Sequence, residues 1–202
     1  MKTQTEVVLA SNNAKKLIEL NDILSFSGWK LTPQGELGVP ECEEPFNTFV
    51  ENALQKARHA SRITGLPALA DDSGLCVDAL GGAPGVHSAR YAGDPKSDAR
   101  NNEKLLADLE GCKNRKARFV SVIVFIRHAD DPQPIIAEGE WHGKVLLEEK
   151  GVGGFGYDPL FLVPELGVSS AELDAEEKNR RSHRGLALIH LAERLQKLQP
   201  LF

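Results

Sequence analysis

The stretch LPALADDSGLCVDAL, residues 66–80, places two adjacent carboxylates inside apolar sequence. LPALA predicts a buried strand, and GLCVDAL predicts a second short strand after DDSG. Two neighbouring carboxylates repel each other and are costly to desolvate, so something must compensate them. An aspartate-capped turn is one explanation. We favour a ligand site at the strand exit, where Asp72 holds a magnesium ion or orients an attacking water while Asp71 caps the turn.

The sequence before this stretch alternates between strand and helix patterns. Residues 6–11 predict a buried strand, because they are mostly apolar and β-branched. Residues 12–28 predict a helix, since their leucines and isoleucine recur at helical spacing. Residues 44–65 predict a second helix that ends at Gly65.

The sequence after it continues the mixture, with a helix predicted over residues 98–111, strands over 117–128 and 133–146, a loop over 151–165, and two helical pieces over 169–198. The two strands predict an antiparallel hairpin, and Ser182 predicts the N-cap of the last helix. We therefore predict an α/β or mixed α+β fold with a mixed sheet. With 202 residues and neither linker nor repeat, the chain suits one domain over 1–202, or two small lobes that share a core.

Composition excludes several classes of protein. The net charge of −5 argues against non-specific binding to duplex nucleic acid, which needs a basic face. No apolar stretch reaches the roughly 20 residues that cross a bilayer, and the first residues do not resemble a secretory signal. The three cysteines, Cys42, Cys76 and Cys112, form no CxxC pair, so idle thiols in a reducing cytoplasm are expected.

SNNAKK, residues 11–16, lies between the first predicted strand and helix. Backbone N–H groups and the helix dipole attract anions at such a position, and two lysines add charge, so a polyphosphate would fit. An asparagine cap followed by surface lysines is the ordinary alternative. The GK[ST] element of a Walker loop is missing.

An acidic cluster, Glu41, Glu43 and Glu44, precedes the second predicted helix. It could add a carboxylate to the cation that Asp72 would hold. An exposed acidic loop is the commoner explanation of such a cluster.

GVGGFGYD, residues 151–158, matches GxGxxG literally but does not open a helix after a strand, so it does not predict a dinucleotide site. A loop that presents Phe155, Tyr157 and Asp158 fits better, because an aromatic ring can stack on a nucleobase and a carboxylate can accept from a base N–H. A core aromatic beside a turn is equally consistent with the pattern.

EEKNRRSHRG, residues 176–185, carries several cationic side chains at the start of the last predicted helix. Lys178 and Arg184 suit phosphates or a carbonyl oxygen, and His183 could donate to a base carbonyl. Solvated charges at a helix end are the ordinary alternative.

Taken together, SNNAKK, FVENALQKAR, ADDSGLCVDALGGAPGVHSARYAG, GGFGYDPLF and EEKNRRSHRG resemble the inosine triphosphate pyrophosphatase family, from Val7 to about Leu195. The resemblance implies magnesium-dependent hydrolysis of ITP, dITP and XTP to the monophosphate and pyrophosphate, which cleanses the nucleotide pool. It also implies an elongated two-lobed α/β fold with a cleft between the lobes, and a cytoplasmic homodimer that binds neither nucleic acid nor membrane.

Transferred position by position, the resemblance implies triphosphate binding by Ser11, Asn12, Asn13, Ala14, Lys15 and Lys16; proton acceptance and metal binding by Asp72; a second metal ligand at Glu44; a substrate contact at Ser73; and a base pocket of Phe155, Gly156, Tyr157, Asp158, Lys178, His183 and Arg184. Lys16, with Lys56 as a further candidate, would stabilise the leaving pyrophosphate. Glu44 is chosen by its distance from FVENA, with Glu41 and Glu43 as alternatives. The family's first loop often reads T-G-N, where this chain has Ser11-Asn12-Asn13.

Three other functions compete with this one. A pyrophosphatase of modified pyrimidine or methylated triphosphates would use the same phosphate chemistry with a different pocket. A non-catalytic nucleotide-binding protein would have lost its carboxylates, whereas Asp71 and Asp72 are present. A structural dimerisation module would not need so many polar residues at strand ends and helix starts.

Overall fold

The computed structural model describes residues 5–13, 17–18, 20–21, 24 and 27–198. The strands are β1 (Thr5–Leu9), β2 (Trp29–Pro33), β3 (Ala68–Val77), β4 (Lys116–Ile126), β5 (Ile135–Val145), β6 (Phe161–Val163) and β7 (Val168–Ser169). The α-helices between residues 27 and 198 are α1 (Phe49–Thr64), α2 (Asp98–Asp108), α3 (Ala175–Arg181) and α4 (His183–Leu198).

The strands form a seven-stranded sheet in the order β2-β1-β3-β4-β5-β6-β7. Strand β1 pairs in parallel with both β2 and β3, whereas β6 pairs antiparallel with β5 and β7. The sheet is therefore mixed, and the predicted mixed α/β class is confirmed. The two strands predicted as a hairpin, β4 and β5, are neighbours in the sheet.

Strand β3 differs from its prediction. Asp71, Asp72, Ser73 and Gly74 do not form a turn between two strands, because they lie inside one continuous strand from Ala68 to Val77. The predicted capping turn at Asp71 is therefore wrong. Successive side chains of a strand point to opposite faces of the sheet, so the two carboxylates are directed apart.

Helix α1 begins later than predicted, at Phe49, where the Thr48 side chain accepts from the backbone N–H of Glu51. It ends at Gly65 as predicted, in a left-handed conformation (φ 71°) that favours glycine. The predicted N-cap of α4 is confirmed, since Ser182 Oγ accepts from the backbone N–H of Gly185 at 3.1 Å. Of the helix predicted over residues 12–28, only part lies among the described residues, and residues 17, 18, 20 and 21 are helical there.

The chain divides into two compact units. Unit 1 comprises residues 1–72, 121–139 and 187–202, and unit 2 comprises residues 73–120 and 140–186. The core of unit 1 includes residues from β1, β3 and α4, namely Val7, Leu9, Leu69, Leu188 and Leu191. The core of unit 2 includes residues from β3, α2, β4 and β6, namely Leu75, Leu105, Phe119, Phe161 and Val163.

The structure also gives the state of the thiols and the length of the helices. Cys42, Cys76 and Cys112 are free thiols. Within the described ranges, no helix has both the length and the apolar character needed to span a membrane.

Candidate active site

Unit 1 contains a cluster of two carboxylates joined by a lysine. Asp72, on β3, is 8% exposed. The Lys56 Nζ, from α1, lies 2.8 Å from Glu44 Oε1 and 3.5 Å from Asp72 Oδ1. The structure therefore brings together the predicted catalytic residue, the predicted second metal ligand and the predicted pyrophosphate-binding lysine.

Helix α1 positions this cluster through Asn52, which is 1% exposed. Its side chain accepts from the backbone N–H of Phe46 at 3.0 Å and donates to the Phe46 carbonyl at 3.1 Å, which fixes the segment that carries Glu44. Asn52 also hydrogen-bonds the Asp72 side chain. Because Asn52 and Lys56 are four residues apart, they share a face of the helix.

The charges of the cluster depend on one another. Burial raises the pKa of Asp72, as do the nearby carboxylates Glu44 and Asp71, while the ammonium of Lys56 opposes this rise. For Lys56, burial alone would lower the pKa, but Asp72, Asp71 and Glu44 outweigh burial and the pKa lies above the ordinary lysine value. Lys56 therefore stays charged between the carboxylates.

The donors of this cluster suit a magnesium ion. Magnesium prefers hard oxygen ligands, and it usually takes one or two carboxylates while water and substrate phosphates complete its shell. Asp72 and Glu44 supply two carboxylates that share one ammonium. Among the described residues, no group of three or more His, Cys, Asp or Glu side chains could hold a metal ion.

The loop after β1 is held by its own polar side chains. Ser11 Oγ accepts from the backbone N–H of Asn13 at 3.2 Å, and Asn12 Oδ1 accepts from the backbone N–H of Gly35 at 2.8 Å. A Cβ at residue 35 would lie 2.7 Å from Asn12 Oδ1, so glycine is needed for this contact. The predicted phosphate-binding residues Ala14, Lys15 and Lys16 lie outside the described residues.

Unit 2 contains an exposed aromatic ring flanked by cations. Phe155 is 54% exposed. The Lys178 Nζ lies 4.9 Å from the centre of its ring, and the Arg184 Cζ lies 6.0 Å from it. Both distances are within the range of a cation–π contact. A flat apolar face surrounded by donors suits a base that carries a carbonyl oxygen.

Helices α3 and α4 bring the cations of this group together. The His183 ring stacks on Phe119 with centres 4.9 Å apart and planes at 15°. A Cβ at residue 185 would overlap the Asn179 carbonyl oxygen, so glycine lets the start of α4 approach the end of α3. Ser73, predicted to contact substrate, is partly buried on β3.

Asp158 and Tyr157 are buried and hold the loop that carries Phe155. The Asp158 carboxylate, 4% exposed, accepts from the backbone N–H of Phe155 at 2.7 Å, from Ser170 Oγ at 2.8 Å and from Lys178 Nζ. The Tyr157 hydroxyl donates to the Ser88 carbonyl at 2.8 Å. A direct contact of either residue with a base stays a prediction.

Sequence reasoning missed Asn52, whose backbone partners lie six residues away and cannot be identified from a pattern. It also missed Asp98 and Asn102 of α2, which contact Gly156. One signal was present, because Asn101-Asn102 is an unusual pair inside a helix, where asparagine is a poor helix former.

Carboxylates beside a lysine suit a metal-bound phosphate, and an aromatic ring beside cations suits a planar base. Comparison with known proteins identifies the family. The chain belongs to the Ham1 family, whose model matches residues 7–194.

The curated relatives are bacterial proteins of nearly the same length. A dITP/XTP pyrophosphatase of Aromatoleum aromaticum is 61% identical over 189 residues, which cover 94% of this chain and 96% of that protein. A dITP/XTP pyrophosphatase of Ralstonia nicotianae is 63% identical over 192 residues, with the same two coverages.

Solved structures share the fold. A HAM1 protein from Coxiella burnetii superposes with a TM-score of 0.93 and 49% identity over 96% of this chain and 99% of that one. A nucleoside-triphosphatase, dITP/XTP pyrophosphatase, from Mycobacterium abscessus gives a TM-score of 0.79 and 41% identity over 95% of this chain and 100% of that one.

Proposed function

We propose that this protein hydrolyses dITP, XTP and ITP to the monophosphate and pyrophosphate, with magnesium, and so removes non-canonical purines from the nucleotide pool. It is a nucleoside triphosphate hydrolase. The names of the relatives support the reaction, and one structural observation carries the assignment of the reacting groups: the buried ammonium of Lys56 lies between Glu44 and Asp72.

The phosphate chemistry is assigned to unit 1. Asp72 accepts a proton from the water that attacks the α-phosphorus, and the bond from the α-phosphorus to the bridging oxygen breaks. The pyrophosphate leaves with the pair of electrons of that bond. Lys56 stabilises its developing charge, and the loop from Ser11 to Lys16 binds the triphosphate.

Asp72 and Glu44 would hold the magnesium ion. When bound, magnesium neutralises phosphate charge and polarises the phosphoryl oxygens. The ammonium of Lys56 lies near both carboxylates and partly compensates their charge.

Base recognition is assigned to unit 2. Phe155 stacks on the base, and Lys178, His183 and Arg184 supply donors toward its 6-oxo group. Adenine carries a 6-amino donor at that position, so it would face donors and leave buried polar groups unpaired. Hypoxanthine and xanthine both carry the acceptor that this set of side chains requires.

A substrate panel tests the reaction. Pyrophosphate and phosphate release are measured from ITP, XTP, GTP and ATP, with magnesium and with EDTA. We expect magnesium-dependent pyrophosphate from ITP and XTP and little from ATP or GTP. Single-phosphate release would mean that a different bond is cleaved. Turnover of modified pyrimidine triphosphates alone would favour that class of substrate, and no turnover would favour a binding role.

Asp72→Asn tests the assignment of the base. We expect turnover of ITP to fall by at least about 100-fold, because general base catalysis contributes roughly 10²–10⁴-fold. Asp78→Asn is the matched control, since Asp78 follows β3 and pairs with Arg118 at 3.1 Å. Near-normal turnover of Asp72→Asn with magnesium would contradict the role of Asp72.

The resemblance also supports a homodimer and a cytoplasmic location. Mass measurement in solution at several protein concentrations tests the dimer, and a monomer at all concentrations would contradict it.

A further inference from the structure

We infer that Asp98 and Asn102, on helix α2, are positioning residues that hold the peptide groups around Phe155 and thereby fix its ring for base stacking. This inference rests on the proposed function and deepens it, because it names the residues that fix the position of the Phe155 ring on which the base stacks. Asp98 and Asn102 were not among the predicted site residues.

Asp98 holds the residue that follows Phe155. Its Oδ2 accepts from the backbone N–H of Gly156 at 2.7 Å. Asp98 belongs to the first turn of α2, where Ser97 is the N-cap, so its backbone is fixed by a regular helix rather than by a loop. The two partners are 58 residues apart in the chain.

Asn102 binds the carbonyl group of Gly156. It is 3% exposed, and its Nδ2 donates to the Gly156 carbonyl at 3.2 Å and to Glu149 Oε1 at 2.7 Å. Both partners are acceptors, which fixes the orientation of the amide. Asn102 and Asp98 are four residues apart on one helix face, so together they bind both polar groups of Gly156.

The loop needs such anchors because of its composition. Gly154 and Gly156 have positive φ values of 75° and 61°, and glycine loses more conformational freedom on ordering than any other residue. Without anchors, ordering of the loop would oppose base binding. With Asp98 and Asn102 on Gly156 and Asp158 on the N–H of Phe155, the exposed ring is held before the base arrives.

Two substitutions of Asp98 separate positioning from a plain helix-capping role. Asp98→Ala and Asp98→Asn both remove the charge from the first turn of α2, but only Asp98→Ala removes the acceptor for the Gly156 N–H. Asp108→Ala is the control at the other end of α2, where the carboxylate accepts from Lys104 Nζ at 2.9 Å and from the Tyr91 hydroxyl.

The readouts are kcat and KM for ITP, and the inhibition constant of tripolyphosphate, which carries no base. We expect Asp98→Ala to raise KM by about 5- to 20-fold, in the range set by partial loss of base stacking, with tripolyphosphate inhibition unchanged. We expect Asp98→Asn and Asp108→Ala to keep the wild-type KM. Equal KM values in Asp98→Ala and Asp98→Asn would overturn the inference, as would equal weakening of ITP and tripolyphosphate.

Amide hydrogen exchange gives a second test that does not depend on activity. We expect the Gly156 amide to exchange faster in Asp98→Ala than in Asp98→Asn, while amides in the middle of β4 keep their protection. Unchanged exchange at Gly156 would overturn the inference. Failure of the wild-type protein to hydrolyse any triphosphate would refute the proposed function instead. The exchange result would still test whether Asp98 holds the Gly156 amide.

Discussion

Among the described residues, the ammonium of Lys56 pairs with both carboxylates of the unit 1 cluster. Its side chain is mostly buried, as is that of Asp72, whereas the Glu44 side chain is 29% exposed, so the attraction between Lys56 and Asp72 is the less screened of the two. An uncompensated carboxylate in this environment would be strongly disfavoured. Lys56 therefore has two tasks in the proposed reaction, since its ammonium opposes the rise that burial causes in the pKa of Asp72, and it stabilises the leaving group.

Lys56→Met tests this dual role. Methionine keeps much of the side-chain volume and removes the charge. We expect kcat for ITP to fall by roughly 100-fold, because loss of one preorganised electrostatic contact to a developing charge costs about 10²–10³-fold. Steady-state kinetics with saturating magnesium is the measurement. Lys30→Met is the control, because Lys30 is exposed and pairs with Glu6 at 3.4 Å. A kcat near that of wild type would exclude Lys56 from the chemistry.

The roles of single residues were only partly predictable from the sequence. The motifs predicted Asp72, Glu44 and Phe155 as site residues, and the structure places Glu44 and Asp72 beside the same ammonium, while the roles of all three stay predictions. The burial of Asp158 and Tyr157 could not be predicted, since it follows from Ser170, Lys178 and Ser88, which are distant in the chain. Long-range partners of a polar side chain leave no periodic signal.

The connection between β4 and β5 is held by a buried carboxylate. Asp131, 1% exposed, accepts from the backbone N–H of Arg127 at 2.9 Å, from Arg127 Nε at 2.8 Å, from Arg127 Nη2, and from the backbone N–H of Gln133 at 2.9 Å. These donors hold the pKa of Asp131 well below its usual range. The connection therefore depends on an ionised aspartate.

Asp131→Asn should destabilise the protein in a pH-dependent way. The folded-state pKa is depressed, so the charge contributes stability above the unfolded-state pKa of about 3.9, and this contribution is lost as pH falls toward the folded-state value. We expect a loss of about 2 kcal/mol near neutral pH, typical of hydrogen bonds to a charged group. Urea unfolding from pH 7 down to pH 3 measures it, and the difference from wild type should shrink below about pH 4.

Asp130→Asn is the control for this experiment. The Asp130 side chain is 90% exposed and lies 3.9 Å from Arg62, so its removal should change stability by less than about 1 kcal/mol at every pH. An Asp131→Asn effect that is equally small, or that grows as pH falls, would contradict the role given to Asp131.

Elements differed in how well the sequence predicted them. Helix α2 and strands β4 and β5 were predicted from their apolar patterns. Strand β5 alternates buried and exposed residues, whereas every residue of β4 from Ser121 to Ile126 is buried. Strand β3 was predicted as two pieces, since aspartate and glycine are poor strand formers. Its position between β1 and β4 supplies the backbone pairing that overrides this preference. Local propensity therefore failed at the place where the candidate site lies.

The chain passes between its two units inside regular elements rather than through linkers. Strands β3, β4 and β5 and helix α4 each contribute residues to both units. The hydrogen-bonded ladder of a strand and the backbone of a helix are cooperative over their length. We therefore expect the two units to unfold in a single transition, although the chain exceeds the size of about 150 residues below which two-state behaviour is usual.

The two tryptophans give each unit its own reporter. Trp29 belongs to unit 1 and stacks on Phe125 with ring centres 4.5 Å apart. Trp141 belongs to unit 2 and packs against Phe161 at 5.1 Å. Trp141→Phe therefore leaves a fluorophore that senses unit 1, and Trp29→Phe leaves one that senses unit 2. The phenylalanine keeps an aromatic ring in each core.

In each of these variants, urea unfolding is followed by tryptophan fluorescence and by far-ultraviolet circular dichroism of the same sample. Comparing two probes within one variant removes the effect of the substitution itself on stability. We expect the fluorescence and dichroism midpoints to coincide in both variants. Strands β3, β4 and β5 each contribute residues to both units, so unfolding of either unit would break strands that belong to the other as well. A fluorescence midpoint clearly below the dichroism midpoint in one variant alone would show that its unit unfolds separately, and would contradict coupling through the shared strands.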